Sequence, residues 1–198
     1  MKSKKLKIGV AIPCLLNNEV AEELFSQLYE KIKQIKERPR HYDLLVEIYF
    51  EDLNNVVGLS KARNICIGKL FKRRVDYIVF LDADDMIDDD FFDKIYLACL
   101  ENYDIIEARF KILKGEVEFE KDNMKNHVTG IAFKREVIGK HRFHENILYG
   151  EDRYFIQEVV DLTEQTRCQV DTIYHYNYGY NKDCLSYRFS RGEINERR

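Results

Sequence analysis

An α/β fold built on a mainly parallel sheet is what this sequence predicts, and three observations predict it. Strand-length apolar runs alternate with amphipathic helical segments through the first half of the chain. Those runs are near-continuously apolar, as in strands covered on both faces, and do not alternate as in a half-solvated sheet. One of them, Tyr77-Ile78-Val79-Phe80-Leu81, stops abruptly at Asp82-Ala83-Asp84-Asp85, which places three acids within four positions. Ligands of open α/β sheets bind just outside the carboxyl ends of the strands, so a carboxylate cluster there is a candidate site.

The elements follow in order. Leu6 to Ile12 reads as a buried first strand, with Pro13 and Asn17-Asn18 forming a loop. Glu19 to Glu37 carries Val20, Leu24, Leu28, Ile32 and Ile35 at helical spacing and stops before Pro39. Leu44 to Phe50 is a second strand, ending in Glu51-Asp52. Gly58 precedes a helix from Leu59 to Phe71 with Ser60 as its cap, and Tyr77 to Leu81 is the third strand. Asp88-Asp89-Asp90 suits the positive end of a helix running from Phe91 to Leu100. The second half reads differently. Ile105 to Leu113, Val117 to Phe119 and Val128 to Phe133 look like strands of a smaller mixed sheet. Glu151 to Leu162 looks helical, and Gln169 to Tyr180 is a final extended segment. With 198 residues and no repeat or linker, a single compact domain with two subregions is the economical organisation.

Composition narrows the function classes. The chain is 45% hydrophobic and 34% charged, with a net charge of -3, so bulk charge implies no attraction to nucleic acid or membrane. Lys2-Ser3-Lys4-Lys5, Lys72-Arg73-Arg74 and Arg197-Arg198 are local basic clusters that also read as ordinary solvated surface. Cys14, Cys66, Cys99, Cys168 and Cys184 are odd in number and widely spread, without a C-x-x-C. They suit reduced thiols acting as small hydrophobes in a cytoplasmic protein. No apolar stretch approaches the roughly 20 residues of a membrane span, and the basic N-terminus lacks a signal-type apolar core.

The chemistry centres on the acidic strand end. A carboxylate pair there suits a hard divalent cation, and such a cation commonly brings a phosphate with it. A solvated acidic loop after a core strand gives the same pattern.

Four further elements, in order along nearly the whole chain, resemble family 2 glycosyltransferases of the GT-A fold. They are Val10-Ala11-Ile12-Pro13 with Asn17, then Gly58-Leu59-Ser60-Lys61-Ala62-Arg63-Asn64 ahead of Asp82-Ala83-Asp84-Asp85. Thr129-Gly130-Ile131-Ala132-Phe133-Lys134-Arg135-Glu136 resembles the acceptor-side strand and turn. Phe143-His144-Glu145 with Gly150-Glu151-Asp152-Arg153-Tyr154-Phe155 resembles the block that carries the base. The resemblance implies a Rossmann-like nucleotide-sugar-binding half with a mainly parallel sheet (1–100) and a smaller mixed-sheet acceptor half (101–198).

The implied activity is inverting, metal-dependent transfer of a sugar from a nucleotide-sugar, most plausibly a UDP-sugar, to an acceptor hydroxyl. Asp84 would be the direct ligand of Mn²⁺ or Mg²⁺, with Asp82 on the ribose or the ion, Asp85 a lesser candidate and His175 an extra metal ligand. Pro13, Asp52 and Arg63 would line the nucleotide, while Asn64 braces the loop. Asp152 would be the catalytic base, with Glu151 beside it in a structural or acceptor-binding role. His144, Glu145 and Gly130 would face the acceptor. A saccharide or lipid-linked saccharide is the default acceptor, chosen by the loops at 114–126 and 183–198, and a modified nucleic-acid base is a further option. Two other classes share features of the sequence. Haloacid-dehalogenase phosphatases also end an apolar strand in D-x-D, but with Thr or Val after the second Asp, where this chain has Asp85. A non-catalytic nucleotide-sugar binder would have no need of Asp152 as a base.

Overall fold

The computed structural model describes residues 5–16, 18–39, 41–50, 57–114, 117–121, 127–147, 149–160, 164–177 and 191–192. The first three strands, β1 (Lys7–Cys14), β2 (Asp43–Phe50) and β3 (Tyr77–Phe80), are parallel, with β1 in the middle. Between them run α1 (Glu19–Glu37) and α2 (Leu59–Lys72). After β3 come the short β4 (Met86–Ile87), then α3 (Phe91–Leu100), β5 (Ile105–Lys114), β6 (Val117–Lys121) and β7 (Ile131–Lys134). The chain continues through α4 (Arg135–Ile138), α5 (Glu151–Val159) and β8 (Arg167–Asn177).

The strands of the second half extend the same sheet. Its order is β2-β1-β3-β7-β5-β8-β4, with β6 hairpinned onto β5. β7 enters antiparallel between β3 and β5, and β5 and β8 run parallel.

Strand alternation divides the core between the two faces of this sheet. Ile8, Val10 and Ile12 of β1, with Tyr77, Val79 and Leu81, meet Leu28, Ile32 and Ile35 of α1 and Phe91, Phe92 and Ile95 of α3. Ala11, Ile78 and Phe80 point the other way, onto Cys66, Ile67 and Leu70 of α2 and Phe155 and Val159 of α5. The site depends on this division, because it puts α2 and α5 on one side of the strand that ends in Asp82. Cys14, Cys66 and Cys99 are buried, which bears out their reading as small hydrophobes; Cys184 lies outside the described residues.

Several boundaries shift for local reasons. α1 begins at Asn18, whose side chain accepts from the Ala21 N–H at 2.8 Å, and it ends at Arg38 in extended backbone, as a residue before proline prefers. Its buried stripe is Ala21, Phe25, Leu28, Ile32 and Ile35, so the expected Val20 is on the exposed side. Ser60 is not the cap of α2. Gly58 occupies that position, and the Ser60 hydroxyl is buried with no partner among the described residues. Pro13 lies inside β1, opposite Tyr49, and not in the loop. The tolerance is geometric. Ala11 accepts from the Leu81 N–H, so odd-numbered positions of β1 turn toward β3, and β3 has ended where Pro13 would need a donor. No helix of the described residues is long and apolar enough to cross a membrane.

Candidate active site

β1 is flanked by β2 on one side and β3 on the other, so successive crossovers diverge at the carboxyl ends of β1 and β3. Such a switch point opens a crevice. Asp82 stands at its rim, with 26% of its side chain exposed. Its Oδ1 accepts from Arg63 Nη2 at 2.9 Å.

Arg63 is the centre of the site. It projects from the first turns of α2, and only 1% of its side chain is exposed. Nη1 donates to Glu151 Oε1 at 2.7 Å and to Asp152 Oδ1. Phe143 lies under the guanidinium, with the ring centroid 5.2 Å from Cζ, and stacks in turn on Phe155 at 4.1 Å. Burial alone would lower the Arg63 pKa, but Asp152, Asp82 and Glu151 raise it above its ordinary value. Where the resemblance implied phosphate or base, the structure puts the protein's own carboxylates on both terminal nitrogens of Arg63. Asn64 braces the adjoining loop as expected. Its Nδ2 donates to the Phe143 carbonyl at 3.0 Å and its Oδ1 accepts from the Phe143 N–H at 2.9 Å.

Glu151 and Asp152 open α5 behind Gly150, whose φ of 77° places it in the left-handed region that favours glycine. Asp152 Oδ2 accepts from the Val128 N–H at 3.0 Å, so among the described residues each of its oxygens has one protein donor. Burial, and then the charge of Asp152, pushes the Glu151 carboxyl up to about 7, against the opposing pull of Arg63. Asp84 is also pushed up to about 7, first by burial and then by Asp82. Asp84 is half-buried. A hard cation would relieve the Asp82–Asp84 repulsion, and carboxylate oxygens are the donor type that Mg²⁺ or Mn²⁺ takes.

The other predicted ligands are placed elsewhere. Asp85 is buried as a structural clamp. Its Oδ1 accepts from the Asn177 N–H at 2.8 Å and its Oδ2 from the Tyr174 hydroxyl. Tyr174 Oη accepts in turn from the Asp82 N–H at 3.2 Å, and Asn177 Nδ2 donates to the Asp84 carbonyl at 2.5 Å. β8 therefore fixes the backbone of the acidic turn from below.

His175, expected as an extra metal ligand, is paired with a carboxylate on the far side of the acidic turn from Asp82 and Arg63's partners, at Asp88. Its Nε2 pairs with Asp88 Oδ1 at 2.8 Å, in a groove of about 630 Å³ that includes Lys31, Ile87 and Leu113. No group of three or more His, Cys, Asp or Glu among the described residues is placed to hold a metal ion. Asp88, Asp89 and Asp90 stand at the N-terminus of α3 as expected, with Asp90 in the cap position, and their side chains also form pairs. Asp88 takes His175, Asp89 takes Lys31 at 2.5 Å, and Asp90 takes Thr172 at 2.8 Å.

Gly130 is buried and so is not an acceptor contact. Its φ is 74°, and a Cβ there would lie 2.9 Å from Tyr174 Cβ and Cγ. Glu145 is exposed near the site, accepting from Asn64 Nδ2 at 3.1 Å, while His144 pairs with Glu158. Tyr174 and Tyr176 pack against Phe110 at 5.7 and 5.5 Å, which makes them part of the core. Asp52, Asn17 and most of both acceptor loops lie outside the described residues. Sequence reasoning missed the Val128 N–H, the Tyr174 hydroxyl and the Asn177 clamp. A backbone donor leaves no mark in a sequence, and Tyr174 and Asn177 were legible only as members of an aromatic-rich strand.

No protein-family model matches the sequence, and no curated protein matches it. Solved structures do match in shape. S. aureus TarS 1–349 in complex with UDP aligns over 87% of this chain with a TM-score of 0.65 at 13% identity. The complex of the same protein with UDP-GlcNAc gives the same TM-score and identity. The chain spans 60% of the length of the UDP complex and 37% of a longer TarS structure. A candidate nucleotide-diphospho-sugar transferase from Desulfovibrio desulfuricans G20 aligns over 96% of both chains with a TM-score of 0.51 at 12% identity. At these identities the likeness concerns architecture: this chain has the mixed α/β, GT-A-like fold of nucleotide-sugar transferases.

Proposed function

We propose that the protein is a glycosyltransferase that moves a sugar from a nucleoside-diphosphate sugar, a UDP-sugar foremost, to an acceptor hydroxyl with inversion. The observation that carries the reading is the joining of two carboxylate groups, Asp82 at the end of β3 and Glu151-Asp152 at the start of α5, through one buried guanidinium. The bound UDP and UDP-GlcNAc of the TarS structures support the choice of donor.

Asp152 is the general base. Held by Arg63 and the Val128 N–H, it takes the proton as the acceptor oxygen forms its bond to the anomeric carbon. The bond to the diphosphate oxygen breaks in the same displacement, with both electrons leaving on the diphosphate. Asp82 and Asp84 would hold a divalent cation, which when bound stabilises charge on the diphosphate. Glu151 is a second acid beside the base and shares Arg63 Nη1 with it. A saccharide hydroxyl is the default acceptor.

Titration calorimetry with UDP, GDP, CMP and TDP, with and without Mn²⁺, tests the donor half. Wild type should bind UDP in a Mn²⁺-dependent manner, and Asp84→Ala should lose that dependence. If no nucleotide binds, sugar transfer is the wrong reaction and phosphate chemistry at Asp82 becomes the leading reading.

A further inference from the structure

The charge count around Arg63 is unusual for a core residue. One guanidinium faces three carboxylates, two of them no more than 10% exposed. A residue selected only to hold α2 against α5 needs one partner, and an apolar contact serves that purpose as well. Here the fork is divided. Nη1 serves the two consecutive acids of α5, and Nη2 reaches across to the end of β3. Phe143 fixes the plane of the guanidinium from one face, and Asn64, the next residue along α2, pins the backbone of Phe143 through both its N–H and its C=O. Arg63 Nε is buried without a partner among the described residues, so the planar group is oriented by its two terminal nitrogens.

We infer that Arg63 is the positioning residue of the transfer reaction, a rigid gauge that sets Asp82 on the donor side and Asp152 on the acceptor side relative to each other. The inference rests on the reading of the site as a sugar-transfer centre. It replaces the expected contact between Arg63 and the nucleotide with an action through two other residues. A lysine ammonium is a single point donor on a flexible stem and cannot span the two positions, so Arg63→Lys keeps the charge and loses the gauge. Phe143→Leu keeps the carboxylate partners and frees the plane of the guanidinium.

The full chain and both variants are assayed for release of nucleoside diphosphate from UDP-glucose, UDP-GlcNAc, UDP-galactose and GDP-mannose with water as acceptor. Calorimetric binding of the matching nucleoside diphosphate with Mn²⁺ and circular dichroism accompany each assay. Arg63→Lys should lower kcat at least 100-fold while KM and nucleotide Kd stay within threefold. Phe143→Leu should lower kcat about tenfold with the same split. If kcat of Arg63→Lys stays within threefold of wild type, or falls only in proportion to nucleotide affinity, the inference is overturned. Should Arg63→Lys fail to fold, Phe143→Leu decides, and an unchanged kcat in it overturns the inference. If wild type itself binds no nucleoside diphosphate and releases none from any donor, the sugar-transfer reading has failed, an outcome distinct from the other two.

Discussion

At the residue scale, Glu151 and Asp84 carry carboxyl groups whose folded pKa lies above the ordinary carboxylate value, each at about 7. The native protein therefore holds protons that the unfolded chain releases from about pH 4 upward. Stability then falls as pH rises, because the native state binds more protons. The contribution is complete below about pH 4 and is lost as pH passes through 7, on the order of 3–4 kcal/mol for a buried group shifted this far. Urea unfolding in EDTA from pH 5 to 8.5 should show this decline, and Glu151→Gln should flatten it; equal slopes in the two proteins would contradict the assignment. Asp152→Asn tests the base directly. Its kcat should drop roughly 10²- to 10⁴-fold with nucleotide affinity nearly unchanged, measured on whichever donor the wild type consumes. Neither acid announced its situation in the sequence. Gly150-Glu151-Asp152 pointed to the right turn, but the identical motif on an exposed helix start would leave both carboxyls solvated.

At the element scale, the acidic turn after β3 is held by a strand from the far end of the chain. Tyr174 is the contact that shows it, accepting from the Asp82 N–H while donating to Asp85. Tyr174→Phe removes one hydroxyl and leaves a buried carboxylate oxygen and a backbone N–H without it. The cost should be about 1–3 kcal/mol in urea unfolding. Because the same turn carries Asp84, Mn²⁺-dependent nucleotide affinity should weaken as well. Gly130→Ala acts on the same contact from the other side. It forces an L residue into φ of 74° and a Cβ against Tyr174, so a loss above about 2 kcal/mol is expected. A Gly130→Ala protein as stable as wild type would show that Gly130 and Tyr174 are not packed this closely. Gly130 was read as an acceptor contact from its motif. In the structure it is buried and packs closely against the Tyr174 side chain.

At the scale of the whole molecule, two cores on opposite faces of one sheet leave the strand ends as the place where polar groups gather. Binding there should stabilise the entire domain. UDP with Mn²⁺ at 100 times its Kd adds about 2.7 kcal/mol, a rise of roughly 5–10 °C in Tm for a chain of this size. Differential scanning fluorimetry checks this, and the rise should vanish in Asp84→Ala. A shift that persists in the variant would remove Asp84 from the metal site.

What the sequence determined by itself is the set of long elements. α1 and α3 have the boundaries that periodicity and breakers indicate, and β1, β2 and β3 differ by one or two residues. These signals are local: apolar spacing, a capping asparagine and a residue held extended before proline all act within a turn or two of chain. β4 and α4, two and four residues long, have no room for a periodic signal. The tertiary structure alone decided the roles within the acidic turn, where Asp82 faces Arg63, Asp84 remains beside the crevice and Asp85 is spent on Tyr174. It alone made Arg63 the link between two carboxylate groups, and paired His175 with Asp88. The partners in these contacts are 19 to 89 residues apart in the chain. Which of several neighbouring carboxylates meets which cation depends on the strand order that brings them together, and no spacing within the sequence encodes that order.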